Sequence, residues 1–281
     1  MKQAIKIGMI GGVVEVLLSL IGMIEAFSQR DIISHIISMG HTLLLLVVLF
    51  IGYLAAKRTP GRKPSWVLIN GLTSGLIVGG ALALLVTMGG MMNLRKVFIN
   101  ASPLLYKLLT FDQGRNEGIL LLLGGGVLSG LLAGLLSLAP SFLRRVLIVS
   151  LGSVVGAGVL QDLLRPTFAL WGSLAVVNEW LFSSNGLTFH GAIGLFALVT
   201  ASSAFWAKKG NVIRSGLKIL PPASQRTLKI TTLLLLIALL LGLPQLLGLF
   251  LSEVLTIIGL YVLLGLGLNI VVGFAGLLDL G

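Results

Sequence analysis

Residues 231–243, TTLLLLIALLLGL, decide the class of fold. The run carries no charge and no alternation of polar with apolar positions. A strand of a membrane barrel shows short alternating segments instead, so the run reads as helix. Comparable runs recur from one end of the chain to the other. Of 281 residues, 56% are hydrophobic and 10% charged, and the mean hydropathy is +1.07. A soluble domain carries about 25% charged residues, and the charges present here cannot cover a water-facing surface. The sequence therefore predicts an all-α, polytopic helical membrane protein.

A membrane span needs roughly 20 apolar residues. Such runs lie near residues 5–27, 35–56, 66–89, 118–138, 146–163, 187–207, 230–243 (extended through LPQLLGLF to 250) and 253–272, which gives about eight transmembrane helices. The first run has a basic start at Lys2 and Lys6, but Glu15 interrupts it and no small-residue cleavage site follows, so it reads as a retained span. Residues 93–117 and 167–188 are too short or too polar to cross. The first is expected at the interface or packed on the bundle and the second, which carries Trp171, Glu179 and Trp180, at the interface, while Trp66 anchors the start of the third span. Residues 208–229 form the clearest internal boundary. They hold Lys208, Lys209, Arg214, Lys218, Arg226 and Lys229, no acid, and the Pro221-Pro222 break. The expected organisation is a multi-span domain over 1–220 and the start of a second domain over 221–281.

The formal charge of +11 raises nucleic acid as a partner, but the cations sit in short loops between spans, where they set orientation. With the N-terminus cytoplasmic, Lys57, Arg58, Arg62, Lys63, Arg144, Arg145 and the 208–229 group fall inside. The smaller group of Arg30, Arg95, Lys96, Lys107, Arg115 and Arg165 falls outside. That distribution favours this orientation, a multi-pass cell-membrane location and no nucleic-acid role.

Glycine spacing supplies the packing expectation. Gly71, Gly75 and Gly79 are four apart, as are Gly126, Gly130 and Gly134, with Gly8/Gly12 and Gly152/Gly156 repeating the spacing. Small residues at this interval share one helix face and let two backbones approach closely, which matters where lipid removes the hydrophobic drive between helices.

Catalytic constellations are absent. There is no cysteine, hence no disulfide, thiolate metal site or thiol nucleophile. His35, His41 and His190 lack ligand-like spacing, and no GxxxxGK[ST] phosphate loop occurs. The expectation is a protein that is not an enzyme and holds no metal or cofactor in this chain. Glu15 stands apart, because a carboxylate in mid-span costs on the order of a few kcal/mol if ionised. It should face the bundle, either in a substrate or proton pathway or in an interhelical hydrogen bond. An intramembrane enzyme would need a second ionisable group facing it, and the sequence offers none.

The segment 260–281, LYVLLGLGLNIVVGFAGLLDLG, carries the most specific pattern: Gly267-Leu268-Asn269, then Gly273, Gly276, Asp279, Leu280 and Gly281. It resembles the opening of the core domain of Liv-type branched-chain amino acid ABC transporter permeases, in which an apolar helix leads to Gly-Leu-Asn, Gly-x-x-Gly and a small or polar residue before Leu-Gly. Asp279 departs from the serine frequent at that position. The resemblance covers about residues 227–281. It implies a permease subunit of an ABC importer, paired with a second permease subunit, cytoplasmic ATPase subunits that bind ATP, and an extracytoplasmic substrate-binding protein. It also implies further helices beyond Gly281. Asn269 can hydrogen-bond between helices, and Gly273 and Gly276 can break a helix near substrate or only pack it. The alternative expectation is a non-transport membrane scaffold or assembly protein whose first 220 residues serve helix association.

Overall fold

The computed structural model describes residues 1–170, 175–219 and 222–270. Its elements are α1 (Lys2–Leu20), α2 (Met23–Phe27), β1 (Asp31–Ile33), β2 (Ile37–Ser38), α3 (Met39–Lys57), α4 (Pro64–Met91), α5 (Pro103–Leu109), α6 (Arg115–Leu138), α7 (Ser141–Val159), α8 (Gln161–Leu170), α9 (Ala175–Leu181), α10 (Phe189–Ile219) and α11 (Pro222–Leu268). Among the described residues, six helices are long and apolar enough to cross a membrane: α1, α3, α4, α6, α7 and the Phe189–Ala207 part of α10. The helical architecture is consistent with the expected helical membrane protein, with six candidate spans where the sequence reading has about eight, and one short antiparallel hairpin, β1 with β2, joins α2 to α3.

Contacts divide the chain into two units. One is Met1–Gln161 with Trp180–Ala204, and the other is Asp162–Glu179 with Phe205–Gly281. In the second, α11 differs from expectation. The sequence reading separates runs at 230–243 and 253–272, whereas one helix continues from Pro222 to Leu268. A lone proline costs one backbone hydrogen bond, and the leucine-rich runs on both sides favour helix. At 1.5 Å per residue, 47 residues extend about 70 Å, more than twice the roughly 30 Å hydrocarbon core.

The first unit is built on α4 and α6. Both glycine triplets meet there. A Cβ added at Gly71 would lie 2.5 Å from the Gly130 carbonyl oxygen, and one at Gly126 would lie 2.5 Å from that of Gly75. Gly79 faces the Leu122 carbonyl in the same way, so the two backbones touch along this stripe. On the other side of α4, Gly12 of α1 approaches Ala81, where an added Cβ would lie 2.8 Å from its methyl. Gly152 and Gly156 have nothing within 4 Å and form no such contact among the described residues.

The bundle core is richest at the end where α1 and α4 finish. Ile24, Leu44, Leu82, Leu85, Leu105, Leu109 and Leu122 cluster there, and α5 supplies two of them, both fully buried. The stretch 93–117 therefore packs on the bundle through α5. Local chemistry sets its start: Ser102 caps the helix by accepting from the Leu105 N–H at 3.1 Å, and Pro103 follows at the first helical position. Ser102 also donates to the Glu25 carboxylate at 3.0 Å, which ties α5 to α2. At the opposite end Asn70 of α4 donates to the Thr59 hydroxyl at 2.9 Å and holds the α3–α4 turn closed.

Candidate functional site

Glu15 lies on the face of α1 that turns into the bundle. Its neighbours along that face are Gly11, Gly12 and Ser19, all buried. The residue is fully buried, and neither carboxyl oxygen has a hydrogen-bond partner among the described residues. Ser19 donates to the Glu15 backbone carbonyl at 2.9 Å, which leaves the carboxyl itself unserved. Glu15 thus faces the bundle, as its cost in lipid requires, yet the interhelical hydrogen bond that would explain it structurally does not form. A buried acid with free oxygens in a span is a group that can exchange a proton or meet a polar ligand.

A second polar constellation closes the end of the bundle, and no sequence pattern announces it. The helix α5 ends in a Schellman arrangement: the Asp112 N–H donates to the Lys107 carbonyl at 3.0 Å and the Phe111 N–H to that of Leu108 at 3.1 Å. The residue after the cap is normally glycine because it adopts positive φ. Here it is Phe111 at φ 53°, and Asp112 follows at φ 61°. Left-handed backbone at two successive non-glycine residues is strained. Its consequence is placement of the Phe111 ring against His41, stacked at 4.8 Å and 19°.

His41 is held from both nitrogens. Nε2 pairs with the Leu108 carbonyl at 2.9 Å and Nδ1 with the Ser38 hydroxyl at 2.7 Å. A carbonyl can only accept, so Nε2 carries the proton and Nδ1 receives the Ser38 O–H. On α5, Tyr106 keeps its phenolic oxygen buried without a hydrogen-bond partner among the described residues, and burial pushes that phenol above its ordinary pKa. His35, exposed, also has positive φ, 59°, and its N–H donates to Asp31 at 3.0 Å. The histidines do not converge, and the described residues contain no group of His, Asp or Glu that could hold a metal.

The C-terminal signature belongs to the second unit. Asn269 and Ile270, directly after Leu268, stand in π-helical rather than α-helical register at the end of the described residues, and both are exposed. Gly273, Gly276 and Asp279 lie outside the described residues. Gly259, Gly265 and Gly267 have nothing within 4 Å of an added Cβ, and residues 255–270 are exposed on every face of the helix. Glu15 and Asn269 fall in different units.

No protein-family model, no curated protein and no solved structure matches the chain.

Proposed function

We propose that the chain is a transmembrane permease subunit of an ABC importer for branched-chain or related amino acids. It works with a second permease subunit, an extracytoplasmic substrate-binding protein and cytoplasmic ATPase subunits whose ATP hydrolysis drives transport. The observation that carries this reading is the π-helical register at Asn269, the asparagine of the Gly-Leu-Asn signature. A π turn frees backbone groups from the regular ladder, and such turns concentrate at functional sites. Interrupted helices are a recurrent way to present backbone and amide groups to a polar solute in the bilayer. The apolar exposure around residues 255–270 suits a helix that packs against a partner subunit. In this reading the N-terminus is cytoplasmic, the cell membrane is crossed about eight times, and α11, continuous from Pro222 to Leu268, breaks in the bilayer to supply two of the crossings.

The test is co-expression of the full-length gene product with any ATPase and binding-protein genes that its genome encodes beside it, followed by purification on this subunit. The expected outcome is a stoichiometric complex that takes up radiolabelled leucine or a related amino acid into proteoliposomes only with ATP. Uptake by this chain alone, or a purified chain without ATPase or binding protein, would refute the proposal. The second of those results, with other membrane proteins bound in their place, would favour a scaffold.

A further inference from the structure

The middle of α6 contains three successive glycines, Gly124, Gly125 and Gly126. Packing accounts for one. Gly126 lies against the α4 backbone, whereas a Cβ at Gly124 or Gly125 would meet nothing within 4 Å. Each glycine in a helix interior costs about 1 kcal/mol relative to alanine, so Gly125 is a departure that the protein fold does not explain. It lines a cavity of 470 Å3 that runs between α3 and α6 over the floor of α4, with Gly79 and Leu82 beneath it.

The cavity has a polar rim and an apolar body. His41, Phe111 and Asp112 stand at the rim, the strained segment described above. From His41 to Val48 along α3 the body runs about 10 Å into the bundle at the helical rise. Its sides are Leu45 and Leu121, 42% and 45% exposed on two candidate spans, so the cavity opens sideways, toward lipid. At its inner end sits Ser129, 8% exposed, whose hydroxyl makes no hydrogen bond among the described residues. Other helix serines here, Ser74, Ser137 and Ser153, close onto carbonyls of their own helices. Asp112 also lines a second cavity of 390 Å3, which contains Lys107 and Arg115. Lys107 pairs with Asp112 at 3.1 Å and Arg115 donates to the Thr87 carbonyl at 2.9 Å, which leaves a net positive charge at the mouth.

We propose that the two cavities form one binding site for an anionic phospholipid, with one acyl chain in the groove kept open by Gly125 and the phosphate at Lys107 and Arg115. A site of this volume, apolar with a few polar groups at defined points, is of the size and character of ligand pockets. A lipid in the bilayer reaches the opening between two spans laterally, and the basic mouth favours an anionic headgroup. Strained backbone at Phe111 and Asp112 fits a ligand clamp. The inference does not depend on the transport reading, and its readout is binding alone.

The experiment places the full chain in phosphatidylcholine nanodiscs doped with phosphatidylglycerol or phosphatidylcholine bearing a photoreactive acyl chain, and maps crosslinks by peptide mass spectrometry. Label is expected on the segments around Leu45–Val48 and Leu121–Ser129, above the level at Leu132, a lipid-facing residue outside the groove. One net positive charge favours the anionic lipid about five-fold, and Lys107→Gln should bring the two lipids to parity. Gly125→Leu should lower groove labelling to the Leu132 level, while Gly124→Leu on the same turn should leave it unchanged. Uniform label along α6, equal label in the two leucine variants, or protein–protein crosslinks in the groove would each overturn the proposal. Should Gly125→Leu fail to fold, the wild-type map and the Lys107→Gln arm decide it.

Discussion

At Glu15 an ionisable side chain is fully buried with both oxygens unserved. Leaving a buried polar group unsatisfied costs about 1–3 kcal/mol, whereas an apolar group of similar size removes that cost. Glu15→Leu is therefore expected to stabilise the protein by about 1–3 kcal/mol in reversible unfolding in detergent. Loss of stability instead would mean that the carboxyl has a partner in the membrane, such as a second subunit. Glu15→Gln carries the functional side of the question: if it abolishes uptake by the assembled complex while folding and assembly stay intact, Glu15 belongs to a substrate or proton pathway. The sequence makes Glu15 conspicuous, because one acid interrupts an otherwise apolar run. The Phe111–His41 stack is invisible at that level. A Schellman end signals itself through glycine at the left-handed position, and this one has phenylalanine. The partners of His41 are Ser38 nearby and Leu108, 67 residues away, and pairing over that distance depends on tertiary packing.

Among the elements, α4 and α6 show how far spacing alone reaches. Four-residue glycine intervals state that a face is smooth, but not which face it meets. Gly71, Gly75 and Gly79 find Gly126 and Gly130, while Gly152 and Gly156, with the same spacing, meet nothing among the described residues. The difference arises from neighbours that only the fold supplies. It predicts opposite outcomes for the same substitution. Gly75→Ala places a methyl against the Gly126 carbonyl, and the overpacking should cost about 1–3 kcal/mol. Gly152→Ala meets open space and should be neutral or stabilising by up to about 1 kcal/mol. Chemical unfolding of both variants in one detergent checks this, and equal effects would remove the α4–α6 stripe as the centre of the first unit. The short α5 was legible only by exclusion: its length forbids a span, and its burial through Leu105 and Leu109 required the rest of the core.

For the whole molecule, composition makes the class plain: few charges, long apolar runs and cations in loops leave only a helical membrane protein. The path of the last third is less legible, because α11 has no turn chemistry to mark where one crossing ends and another begins. Its 47 residues exceed one bilayer thickness by more than twofold, so a single straight crossing would leave about half of an apolar helix in water. Ser252 and Glu253 lie inside the continuous helix, so the proposed eight-span topology requires α11 to break near them, between the run at 230–243 and the run at 253–272, when it enters the bilayer. The chain lacks cysteine, so single cysteines report topology without a prior cysteine-free background. With the N-terminus cytoplasmic, Gly114→Cys and Asn185→Cys should react with an impermeant maleimide added outside intact cells, and Gly61→Cys only after lysis. Ser252→Cys and Leu268→Cys decide together. Reaction of Ser252→Cys from outside is expected of the eight-span permease, and Leu268→Cys, at the end of α11, should then not react from outside; reaction of both from outside would leave α11 a single crossing. Protection in both intact and lysed cells would place Ser252 within the hydrocarbon and leave α11 a single crossing. Reaction only after lysis would put it in the cytoplasm, and either result removes the eight-span topology.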